Sequence, residues 1–287
     1  MIRGWIRAHP DDAPVADVLS VRAARLGLLG AMLLTVSAGL RLWFQVHAFV
    51  EPGDPVEGEL VRFIIGETAW GRGWLAQLGA AVLALGGYLL ALGVPRFGWI
   101  GAGLGATAVA LAAPLTGHAV SEVAGDTGVL VDALHLLGGS AWLGTLLVTT
   151  VAGLAALARL EPEQRSRLVA RLITAFSPVA LIGASLAIAA GAVLSWRYLG
   201  DSIGERFSAL TGTSYGQALL IKTLTLLVVL SLGAWNWRVV VPRLGTAAGT
   251  DRLGRSARLE ILFGIILLLV TAVLVALPMP AEAGAAE

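Results

Sequence analysis

Four histidines and three methionines stand in a chain of 287 residues that has no cysteine. The missing cysteines remove disulfides, zinc knuckles, thiolate copper sites and cysteine nucleophiles together. What remains is imidazole and carboxylate chemistry. Asp132 and His135 are three residues apart, so a helix would place them on one face, with Gly139 and Trp142 continuing the stripe. A carboxylate there can ligate the same metal as the imidazole, or hold the ring by a hydrogen bond and fix its tautomer. His118 and His47 are the further candidates, while His9 lies in a charged leader and reads as solvated. Lys222 and Arg41 are cations set among apolar residues, able to snorkel or to form a charged wall near a site. Ser140, in Gly138-Gly139-Ser140, has no histidine in any later apolar run. No catalytic constellation is therefore expected, and the chain reads as a non-enzyme.

These residues must be held by elements suited to lipid. The composition is 57% apolar and only 14% charged, with mean hydropathy +0.81, well outside the range of soluble domains. Seven stretches reach the roughly 20 apolar residues that a helix needs to cross a bilayer. They are 26–48, 74–94, 97–117, 128–155, 171–197, 215–240 and 258–277. The runs are long and do not alternate, which excludes strands. The expected fold is all-α, a polytopic membrane helix bundle of about seven spans, read as a single integral membrane domain over 1–287 with membrane lipid as its surroundings. Glycine, at 36 residues, suits close helix packing, notably Gly101-x-x-x-Gly105 and the glycines around Gly86. The net charge of +1 and the absence of basic runs interleaved with aromatics give no signal for nucleic acid.

Arginines set the orientation. One set of connections carries fourteen, from Arg3 to Arg258, and the opposite set carries Arg62, Arg72, Arg197 and Arg206 diluted by acids. The excess marks the cytoplasmic side, so the N-terminus is expected inside and the C-terminus outside. His47 and His118 then close the first and third spans at their outer ends, and His135 lies about two turns inside the fourth. Three histidines share one depth near the outer surface. Val36-Ser37-Ala38 resembles a signal cleavage site, but the apolar run continues past Ala38, which favours an uncut first span. The acidic segment from Val50 to Gly73 is the largest outer loop, with an apolar middle, Leu60 to Ile65, suited to a short interfacial helix. Trp43, Trp70, Trp74 and Trp196 gather near one interface and Trp99, Trp235 and Trp237 near the other, as an aromatic belt. No internal repeat is legible.

Several segments together carry a family pattern. Gly117-His118-Ala119 is followed by Asp132-Ala133-Leu134-His135 and Trp142-Leu143-Gly144. Tyr215-Gly216-Gln217-Ala218-Leu219-Leu220-Ile221-Lys222 leads on to Asn236 and Val241-Pro242-Arg243-Leu244, and Thr68-Ala69-Trp70-Gly71 with Trp74 precedes the core. In order and spacing these resemble the copper resistance protein D (CopD) family over roughly 60–245. The resemblance implies an inner-membrane protein of copper homeostasis and resistance that imports copper from the periplasmic side towards the cytoplasm. It also implies a periplasmic copper-binding partner of the CopC type. His118 and His135 carry over as functional positions, with Asp132 and Lys222 beside them, whereas His47 rests on depth alone.

Copper accepts imidazole as Cu(I) or Cu(II), and the residue types do not choose between them. Met279, after the last span, is a possible thioether on the outside. Two histidines at one depth also suit the axial ligation of a b-type haem, and a structural assembly partner without metal is a third alternative. A conduit needs successive ligating groups, and the inner half is expected to offer no histidine, cysteine or acid, only Asn236, hydroxyls such as those of Thr174 and Ser177, and Met32.

Overall fold

The computed structural model describes residues 13–117, 127–158, 160–243 and 247–280, and every regular element among them is helical. Helix α1 is Ala13–His47, α2 is Gly58–Gly66, α3 is Ala69–Gly93, and α4 is Pro95–Ala112 with a 3-10 turn at Ala113–Thr116. Helix α5, Gly128–Leu147, passes into a π-helical segment, Val148–Leu154, and a last turn, Ala155–Leu157. Helix α6 is Pro162–Tyr198, α7 is Ile203–Gly212 and α8 is Ser214–Trp235. The last of these loosens into a second π segment, Asn236–Val240, and a 3-10 turn, Val241–Arg243, before α9, Ala247–Ala276.

Among the described residues, seven helices are long and apolar enough to cross a membrane: 14–47, 69–93, 95–116, 128–157, 162–198, 214–239 and 252–276. All seven expected spans are present, and the protein is a multi-pass membrane helix bundle. The first and fifth begin well before the apolar runs that marked them. Hydropathy reports the stretch in contact with lipid, whereas backbone hydrogen bonding carries the helix on into water. The polarity of packing is that of a membrane protein: Ala16, Ala24, Ala81, Ala102 and Ala133 are almost wholly buried, while Leu33, Val36, Leu181, Ile182 and Leu269 are exposed. With lipid as apolar as leucine, close contact is built from small residues.

Asp17–Leu137 form one compact unit, and the chain from Gly138 onward belongs to a second. In the first, α3 and α4 are an antiparallel hairpin turned at Val94–Pro95. A Cβ on Gly87, Gly98 or Gly105 would lie 2.1 to 2.3 Å from the backbone of Ala102, Ala91 or Ala84. Gly105 thus confirms the expected contact face, but Gly86 meets nothing within 4 Å, and its neighbour Gly87 makes the approach instead. In the second unit, Gly138 on α5 and Gly183 on α6 meet in the same way, a Cβ on Gly138 lying 2.6 Å from the Gly183 carbonyl oxygen.

Each unit contains the same run of elements. A long helix (α1, 35 residues; α6, 37 residues) precedes a short amphipathic one (α2, 9 residues; α7, 10 residues). Thr68-Ala69-Trp70-Gly71 then opens α3, and Thr213-Ser214-Tyr215-Gly216 opens α8. The threonine caps the new span, accepting from Gly71 N at 2.9 Å and from Gly216 N at 3.0 Å. It also donates back to the short helix, to Ile64 O at 2.6 Å and Ala209 O at 2.7 Å. The glycine has no alternative, since a Cβ would stand 2.0 Å from Ile64 O or 2.2 Å from Ala209 O. The order α1 to α4 is repeated by α6 to α9, with α5 between. The sequence hides this repeat because geometry fixes only the threonine and glycine, while lipid-facing positions accept any apolar residue.

Candidate metal centre

Asp132 and His135 occupy the second turn of α5, which is uninterrupted from Gly128 to Leu147. Their Cα positions are therefore about 60° apart around the axis and about 4.5 Å apart along it. Both side chains are half-buried and both engage neighbouring groups. The shared face expected from the spacing is present. His47 is the last residue of α1 and is exposed. Its Nδ1 lies 2.8 Å from the Trp43 carbonyl oxygen, and the two rings are 4.2 Å apart. A carbonyl only accepts, so Nδ1 holds the proton and Nε2 carries the free lone pair of the neutral ring. His118 lies outside the described residues. Among the described residues, no group of three or more histidine, aspartate or glutamate side chains is arranged to hold a metal.

The surroundings of these residues are clearer than the sequence suggested. Arg41 does not snorkel. Its guanidinium donates to Gln77 Oε1 at 2.7 Å and to Thr116 Oγ1 at 2.8 Å, tying α1 to α3 and to the 3-10 end of α4. Thr116, two residues before His118 in sequence, in turn donates to Ala113 O at 3.1 Å. Gln77 is buried, and a buried amide needs such a partner. Trp74 is likewise no belt residue, because it is buried and donates its indole N–H to Ala38 O at 2.8 Å. Trp43, Trp196, Trp235 and Trp237 are exposed as a belt requires. Lys222 belongs to the second unit, half-buried on α8 with partners of its own. It stands nine residues after Thr213, the place that Gln77 takes nine residues after Thr68.

The expectation of no acid in the half of the spans read as inner is corrected by the structure, and the hydroxyls expected there are exposed. Thr174 and Ser177 are exposed, and their hydroxyls turn back onto the carbonyls of Ala170 and Ile173. Met32 is exposed, and Met279 is fully buried. What the sequence reading missed is Glu260. It lies in the first turns of the last span, half-buried, and accepts a hydrogen bond from Asn236 Nδ2. The signal was available: a lone carboxylate inside an apolar helix is costly and marks function by default.

Helices of this polarity define a multi-pass membrane protein, here with a carboxylate–imidazole pair on one face of one span. The comparisons give the particular family. The family description "Copper resistance protein D" matches residues 170–274, and "Copper resistance protein D-like, N-terminal domain" matches residues 3–129. The chain belongs to the copper resistance protein D family. It is also 28% identical over 270 residues to the copper transport protein CutJ of Bacillus subtilis (strain 168), a match covering 92% of this chain and 47% of the relative. The chain thus spans about half the length of that relative. No solved structure matches it.

Proposed function

We propose that this protein binds copper at the outer end of its bundle through His118 and His135, positioned by Asp132, and moves it from the periplasm towards the cytoplasm across the inner membrane. The observation that carries the reading is the Asp132–His135 pair, one turn apart on one face of an unbroken helix. Imidazole nitrogen and carboxylate oxygen are donors that copper accepts. The carboxylate holds the ring's orientation or completes the ligand set. The family and the copper transport relative add support for handling copper rather than another metal. His47, with Nε2 unprotonated in its neutral form, is an ancillary ligand at the mouth. Lys222 modulates charge as the metal moves on. No step requires catalysis, and copper is cargo.

The segment carrying Glu51, Asp54, Glu57 and Glu59 is exposed, and a cluster of negative charge raises the local concentration of a cation or of a cation-carrying donor. It suits delivery by a periplasmic copper-binding protein of the CopC type. The test is copper accumulation in cells expressing the wild type, His118→Ala or His135→Ala at matched membrane levels. Import predicts accumulation above background that both variants abolish. Accumulation below background would reverse the direction, and equal accumulation in all three would remove these histidines from transport.

A further inference from the structure

Away from the copper residues, the second unit gathers oxygen-bearing side chains where two spans lose their regular pitch. Thr149 and Thr150 lie in the first π segment, with both hydroxyl oxygens buried and without a hydrogen-bond partner. Elsewhere in the spans a hydroxyl turns back onto the carbonyl four residues earlier, as in Thr35, Ser195, Thr223 and Thr271. A π segment moves its ladder to the fifth residue and leaves that habit unmet. Asn236 opens the second π segment. It is 8% exposed; its Nδ2 donates to Glu260, and its Oδ1 is buried with no partner. Helix α9, which carries Glu260, packs against both π segments.

The register supports one cluster. A Cβ on Gly264 would lie 3.4 Å from Leu143 Cδ2, fixing where α9 meets α5. Glu260 is four residues before that contact on α9, and Thr150 is seven after it on α5. The helices run in opposite directions, so both residues lie on the same side of it, about 6 Å and about 10 Å away and on the contacting faces. Buried polar atoms without partners are rare in native proteins and call for a missing group.

A carboxylate, an amide oxygen and two hydroxyls are hard donors with a single negative charge, whereas Cu(I) seeks sulfur or imidazole. Partly unwound helix segments within a membrane hold sodium ions or protons in just this way, with released carbonyls completing the shell. We propose that Glu260, Asn236, Thr149 and Thr150 form a binding site for one small hard cation, sodium or a proton, within the spans of the second unit. Glu260, thirteen residues after the start of α9, is the carboxylate set deepest within a helix among the described residues of that unit. On the elements packed against α9, the described charged side chains nearest in depth are Glu161 at the cap of α6, Glu163, Arg165, Arg167 and Arg171 in its first three turns, and Arg238 in the second π segment. Arg197 and Lys222 lie toward the opposite ends, and α9 itself adds Arg252, Arg255 and Arg258.

The test uses the whole protein in detergent without copper, so its result is independent of the copper site. Thermal unfolding is followed in sodium chloride against choline chloride, and the carboxyl infrared band is followed across pH without sodium. A sodium site raises the melting temperature saturably with sodium alone, an effect lost in Glu260→Gln and shifted about tenfold to higher sodium in Thr149→Val/Thr150→Val. A proton site is indifferent to sodium and shows a titrating carboxyl band, absent in Glu260→Gln and displaced in the double valine variant. The double variant keeps the carboxylate, so the proposal stays testable where Glu260→Gln does not fold. Neither response in the wild type, or a double variant indistinguishable from it, would overturn the proposal and leave Asn236–Glu260 as a structural cross-link.

Discussion

Arg41 illustrates how a charge is kept inside lipid. A guanidinium placed in a span costs about 2.5–3.5 kcal/mol on insertion scales unless it is satisfied. Here it is shared between Gln77 and Thr116 at 2.7 and 2.8 Å. Removing it leaves the buried Gln77 amide without that donor, so Arg41→Met is expected to lower stability by about 1.5–3 kcal/mol, the range for hydrogen bonds to charged groups. Thermal unfolding in detergent measures this, and an unchanged midpoint would mean that the cross-link carries no stability. Neither Arg41's partners nor the Asn236–Glu260 pair was legible in the sequence. Pairing between helices depends on rotation and register, which hydropathy does not report. The Asp132–His135 pair was legible because both residues lie on one helix, whose pitch is fixed.

At the scale of elements, the glycines separate contact from mere flexibility. Gly98 and Gly86 look alike in sequence, but a Cβ on Gly98 would meet the Ala91 backbone nitrogen at 2.1 Å, whereas Gly86 has open space. Gly98→Ala should destabilise the α3–α4 hairpin by about 1–3 kcal/mol through overpacking. Gly86→Ala should be neutral or gain up to about 1 kcal/mol from helix propensity. Melting temperatures of the two variants that moved together would contradict this packing. The short helix α7 offers a pH-dependent counterpart. Ser202 and Glu205 form a reciprocal cap at its start, with Glu205 accepting from the backbone of Ser202 and Asp201. Those bonds, with the Ser202 backbone foremost, hold the Glu205 carboxyl below the ordinary carboxylate range. The folded pKa is depressed, so the cap is intact above the unfolded value and is lost as pH falls through the folded one. Protection factors of the amides at the start of α7, taken relative to the intrinsic exchange rate at each pH, should fall on acidification, and Glu205→Gln should remove most of that dependence.

The whole molecule is two runs of long helix, short helix, capped span and return span, joined by α5. Its seven spans could be read directly from sequence because about 20 apolar residues in succession are a bulk property that no single contact can disguise. The repeat could not, because its signature reduces to a threonine and a glycine three residues later. Orientation rests on the arginine asymmetry. The absence of cysteine makes single-cysteine labelling clean. Arg96→Cys should be shielded from a membrane-impermeant thiol reagent in intact spheroplasts, and Asp54→Cys should be labelled; the reverse pattern would invert the topology. The import proposed for this frame would begin with copper at the outer histidines. The most direct measurement is bound metal by mass spectrometry, with a visible spectrum of the same copper-loaded sample, for the wild type and His135→Ala. About one copper per chain without a Soret band, lost in the variant, is the predicted result. A Soret band, or copper retained in full by His135→Ala, would contradict the copper site described above.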